Sequence, residues 1–182
     1  MISQRLRKPE MNDLQSIAEH LEADYYSDIE FICSNALIYI SQVMEMDVHG
    51  AMALNAVLCE QLINQVMDTI RAKRTNSLGY FIQLAEKQQG GHDCSACSGN
   101  CNMEHGMQLM KLKESNKNIE SIIYRLQTEG TPLRDIEYPP MYAAVRQQMA
   151  NLEKKLVELS IFEQSRLIPG ILNAQQQINV HA

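Results

Sequence analysis

The sequence predicts an all-α protein: a four-helix bundle of the up-down type, with a short extra helix and a Cys/His-rich segment before the third long helix. Apolar residues recur at three- and four-residue steps through four long stretches, and no stretch alternates in the manner of a half-buried strand. The composition agrees. Trp is absent, Phe occurs three times and Met eleven times, so the core must be built from Leu, Ile, Met and Ala, which suit helices packed on helices.

The first helix is expected from about Asp13, a good N-cap, to Met46, with Leu14, Ile17, Leu21, Tyr25, Ile29, Ile32, Ala36, Ile40 and Val43 on one face. Its acidic residues, Glu22 and Glu30 among them, fall mostly on the other side. The second is expected from about His49 to Arg74 on Met52, Ala56, Cys59, Ile63, Val66, Met67 and Ile70. Arg71, Lys73 and Arg74 close it as solvated charges that suit a helix C-terminus. A shorter amphipathic piece, Ser77 to Lys87, carries Leu78, Phe81, Ile82 and Ala85. It reads as a separate helix or a continuation past a kink at Asn76.

The third long helix starts between Asp93 and Met103 and ends at Glu129-Gly130. Met103, Met107, Met110, Ile119, Ile122, Ile123 and Leu126 form its expected core face. Pro139 and Pro140 fit the first turn of a fourth helix, which carries Tyr142, Val145, Met149, Leu152, Leu156 and Leu159 to about Arg166. Pro169-Gly170 is expected to stop it and to leave residues 171–182 as a loose C-terminal tail. No repeat or linker divides the 182 residues, so residues 1–182 read as one helical domain.

The segment 88–106 holds three of the five cysteines and two of the five histidines, spaced H-x-C-x2-C-x3-C-x3-H from His92 to His105. Cys94, Cys97 and Cys101 with His105 or His92 form a soft donor set that suits zinc or an iron–sulfur cluster. If the helix begins at Asp93, positions 94, 97, 101 and 105 share one face; if the glycines keep the segment open, the same donors wrap an ion as a loop. The spacing does not choose between the metals. Zinc would be a structural staple; a cluster would allow electron transfer or sensing. Cys33 and Cys59 sit mid-helix among apolar neighbours and read as core fillers.

The pair Cys94-x2-Cys97 at a helix start also resembles the alkylhydroperoxidase D-like proteins, and the resemblance covers this segment alone. It implies a thiol oxidoreductase with Cys94 or Cys97 as attacking thiolate, His105 as proton relay and Glu86 as general base. In that family the histidine follows the second cysteine by four residues. Here Cys101 stands at that position, and His105 lies one turn further. A non-enzymatic interaction or assembly protein with a metal staple is the reading from a third class.

Other chemistries lack their signatures. No Glu-x-x-His pair supports a ferritin-like di-iron site, His20 and Asp24 read as a solvated helix edge, and neither a phosphate loop nor a nucleophile elbow occurs. A net charge of −6 argues against nucleic acid as a partner. No apolar run reaches the length of a membrane span, and the polar stretch Met1 to Glu10 is unlike a secretory signal. Clustered free thiols suit a reducing cytoplasm, and long apolar faces make a homodimer an expectation.

Overall fold

The computed structural model describes residues 13–46, 50–90, 100–129 and 139–180, and almost every one of them is helical; no strand occurs among them. The elements are α1 (Leu14–His20), α2 (Ser27–Glu45), α3 (Ala51–Ala72), α4 (Gly79–Gly90), α5 (Asn100–Glu129), α6 (Pro140–Phe162) and α7 (Ile168–Val180). Three of the joints between them are not loops. The chain passes from α1 to α2, from α3 to α4 and from α6 to α7 through π-helical turns at Leu21–Tyr26, Lys73–Leu78 and Glu163–Leu167. The result is four long helical rods, three of them widened by one π-turn.

The ends follow the sequence. Asp13 caps α1, its carboxylate accepting from the Ser16 N–H at 2.7 Å and from the Ser16 hydroxyl at 2.9 Å. Those bonds hold its carboxyl below the usual value, the backbone bond most of all. Pro140 opens α6, where a missing N–H costs nothing. Gly50 stands before α3 at φ +75°, in the region that favours glycine.

The rods pack in two groups. α2 lies against α3 and α6, and α5 lies against the same two, which closes a four-helix group. Beyond the π-turns α1, α4 and α7 pack on one another as a three-helix group. One continuous core runs through both, from Ile40 and Leu152 in the first to Leu84 and Ile171 in the second. Cys33 and Cys59 lie in it as fillers.

The π-turns correct several expectations. In the first rod the buried face steps Leu14, Ile17, Leu21 and then jumps five residues to Tyr26 before resuming at Ile29 and Cys33. The Ser27 N–H reaches back five residues to the Glu22 carbonyl, so the extra residue rotates Tyr26 inward in place of Tyr25. In the second rod the helix continues through 73–78 without a break, and Leu84 is buried where Ile82 was expected.

In the last rod Pro169-Gly170 does not stop the helix. The Ile168 N–H bonds the Glu163 carbonyl, so the ladder is already out of its four-residue register when the proline arrives. Residues 168–180 continue as α7, with Ile171 and Ala174 buried, and the loose tail expected from 171 is helical to Val180. Along α5 the core face runs through Leu112, Ile119, Ile122 and Leu126, whereas Met107 and Met110 are exposed. The side chain of Met103 lies outside the described residues.

Candidate functional site

Of the residues the sequence singles out, His92, Cys94 and Cys97 lie outside the described residues, between the end of α4 at Gly90 and the start of α5 at Asn100. Cys101 and His105 fall within α5, four residues and thus about one helical turn apart, and their side chains also lie outside the described residues. Glu86 is exposed on α4. Among the described residues no group of three or more His, Cys, Asp or Glu is placed to hold a metal ion. His20 pairs with Asp24 on the half-exposed flank of the first rod, its ring tilted against that of Phe162 with centroids 5.0 Å apart.

Cys33 and Cys59 are free thiols deep in the four-helix group. Burial pushes the Cys33 thiol up to about 12, with Glu30 adding to the rise, and the Cys59 thiol up to about 11. Thiolate is the reactive form. In the native protein at pH 8, iodoacetamide is expected to leave both unmodified, and to modify them once the chain is unfolded in guanidinium. Peptide mapping of the alkylated protein checks this.

The most concentrated chemistry among the described residues lies where the rods widen. Lys73, 1% exposed at the head of its π-turn, donates to both oxygens of Glu163 at 2.9 and 2.8 Å and to the side-chain oxygen of Asn116 on α5. Those three contacts use its three N–H donors. Glu163, fully buried at the head of the third π-turn, also accepts from the Tyr26 hydroxyl at 3.4 Å, and Tyr26 closes the first π-turn. Thus each of the four rods contributes one polar side chain to a single point in an otherwise apolar core.

The electrostatics follow from that burial. Desolvation pushes the Lys73 ammonium below its ordinary value, and the facing Glu163 carboxylate opposes the shift. The Tyr26 phenol is driven well above its ordinary value, first by burial and then by Glu163. Beside the cluster Arg74 bonds Glu22 at 2.9 Å and Glu30 at 2.8 Å, tying the second π-turn to the first rod. These bonds raise its already high value, Glu22 first. The sequence reading of Lys73 as a solvated charge is therefore overturned, whereas Arg74, Glu22 and Glu30 keep part of their side chains in solvent.

An open groove of about 350 Å³ runs outside the cluster between α3 and α5. Asp68, Thr69, Asn76, Lys111 and Glu114 line it, and Lys73 reaches it from the inside. A smaller polar pair, Tyr142 donating to the Asn55 side-chain oxygen at 2.7 Å, is buried near the far end of the four-helix group. The Cys59 thiol also donates to that oxygen, at 3.7 Å.

Tyr26, Asn116 and Glu163 are not singled out in the sequence, and Lys73 is read there only as a helix-end charge, although a signal for the cluster exists. Leu156, Leu159, Glu163, Leu167 and Ile171 step by three and four residues, as do Val66, Ile70, Lys73 and Ser77. A charge inside each apolar stripe, one of either sign, is the pattern of a buried pair. No protein family, curated protein or solved structure matches this chain.

Proposed function

We propose that this chain is a small helical metal-binding protein that holds zinc or an iron–sulfur cluster through Cys94, Cys97, Cys101 and His105 or His92. The observation that carries the reading is the donor spacing across residues 92–105. Three cysteines and two histidines within fourteen positions offer enough soft donors to complete a tetrahedral set without closing a long loop. The position of Cys101 and His105 within α5 supports it, since donors four residues apart on a helix can serve one ion.

The bundle supplies the rigid support. We read its four rods as up-down-up-down, because bonds between the second and fourth rods pair like positions, early with early and late with late, whereas those between the third and fourth run oppositely, Gln127 to Glu153 and Gln164 to Glu120. Tyr142 with Asn55 marks one end, the Lys73–Glu163 contact the middle, and Gln175 with Tyr80 the other end. In that order the ligand segment joins the second rod to the third at the end far from Asn55. A closed zinc site there would clamp α4 to α5; a cluster would give the bundle an electron-carrying or sensing role. A reducing cytoplasm suits either, and the reading needs neither nucleic acid nor membrane; a homodimer fits the long apolar faces.

The test is elemental analysis and absorption spectroscopy on anaerobically purified native protein. One zinc per chain identifies the staple, and iron with sulfide and absorbance near 400 nm identifies the cluster. A metal-free protein in which Cys94 and Cys97 form a reversible disulfide with peroxide turnover overturns the reading in favour of the thiol oxidoreductase. A metal-free protein without that disulfide leaves the bundle as an interaction protein.

A further inference from the structure

The three π-turns lie at one level of the molecule, because Tyr26, Lys73 and Glu163, one from each, meet at a single cluster. On one side of that level α2, α3 and α6 pack among themselves and with α5, which crosses the level at Asn116; on the other α1, α4 and α7 pack on one another. A π-turn interrupts the four-residue ladder, which is where a helix bends most readily. Three such turns side by side let three helices bend together. At that level the core is joined by a charged pair and its hydrogen bonds, with the straps from Arg74 to Glu22 and Glu30 outside it. The groove between α3 and α5 reaches Lys73, so water has a short way in when the pair separates.

We propose that the three π-turns form one hinge, latched by Lys73–Glu163, about which α1, α4 and α7 open as a unit from the other four helices. The latch is a fit candidate for a two-state element because its halves are expensive to separate in a dry core and inexpensive once wetted. Opening moves the end of α4 at Gly90, so the start of the Cys/His segment travels with it. The hinge does not depend on whether that segment binds a metal.

Native-state hydrogen exchange followed by mass spectrometry tests it on the full chain. In the wild type, peptides from α1, α4 and α7 are expected to exchange through one common step, at least about tenfold faster than peptides from α2, α3 and α6. If the latch breaks in that step, weakening it must speed the step by the same factor as it lowers global protection. Glu163→Gln is expected to do so by on the order of a hundredfold or more. Tyr26→Phe, which keeps the ion pair and loses one hydrogen bond, is expected to do so about fivefold.

The hinge is overturned if α1, α4 and α7 exchange in the wild type at the rates of the other helices. The latch is overturned if their common rate stays unmoved by Tyr26→Phe while global stability falls. Because Tyr26→Phe is mild, the second result can be read even should Glu163→Gln fail to fold.

Discussion

Glu163→Gln is expected to lower the unfolding free energy by about 3–5 kcal/mol, because it strands the Lys73 ammonium in a dry core. For a chain of this length that is a loss of roughly 10 °C or more in Tm. Lys73→Met should cost a similar amount by stranding the carboxylate. The double variant Lys73→Met with Glu163→Leu removes both charges and keeps the volume, so it is expected to recover most of the loss, to within about 2 kcal/mol of wild type. Guanidinium unfolding of the four proteins, analysed as a double-mutant cycle, measures the coupling. If the single variants cost under about 1 kcal/mol each, the pair is not the buried contact described above.

The Glu163→Gln deficit has a definite pH dependence. In the wild type burial already lowers the Lys73 pKa below 10.5, with Glu163 opposing the shift. Without the carboxylate that opposition is gone, so the folded-state value falls further below the unfolded one. Below the folded value both states carry the proton, and the whole cost of the buried charge is felt. Between the two values the unfolded chain binds the proton and the folded chain does not, so stability rises with pH. The deficit is therefore expected to be largest at the acid end of the range and to shrink as the pH rises toward 10.5. Repeating the unfolding series from pH 6 to 10 checks the sign.

Cys97→Ser is expected to reduce bound metal from about one ion or cluster per chain to under about a tenth of that, with the helical circular dichroism largely kept. Cys101→Ser should behave alike, and His105→Ala is expected to weaken retention against a chelator. Cys59→Ala is the control. It removes a buried thiol whose value is raised to about 11, and it should leave the metal content unchanged while costing some stability through the cavity. Equal metal content in Cys97→Ser and wild type would remove the proposed centre. So would loss of metal in Cys59→Ala alone, which would move the ligands into the core.

Much of the architecture was legible because helix periodicity is a strong signal over long stretches. Asp13 as a cap, Pro140 in a first turn and the apolar run from Val145 to Leu159 each find their place. What escaped was the turn geometry between rods. Reading Tyr25 as inward assumed an unbroken four-residue ladder, and the widened turn at Leu21–Tyr26 inserts one residue. Reading Pro169 as a stop likewise assumed that a proline always meets a regular ladder, whereas here it meets one already out of register. Lys73 and Glu163 were missed because a charge is ordinarily solvated, and only their pairing across 90 positions makes burial tolerable. The Cys/His segment was conspicuous by spacing and chemistry, which are local properties of the sequence. Residues 91–99 and the side chains at the head of α5 lie outside the described residues, so the proposed centre rests on that spacing.

Each widened turn is, arithmetically, a helix with a surplus residue. Deleting Tyr25, for example, would restore the plain ladder and leave Leu14, Ile17, Leu21, Tyr26, Ile29 and Cys33 in steps of three and four on one face. Leu14 and Ile17 would still close over Gly170. The same deletion within the regular stretch of α2 would instead swing everything before it by about 100° relative to everything after it. Loss of one residue at 21–26 should accordingly be tolerated far better than loss of one residue between Ile29 and Val43.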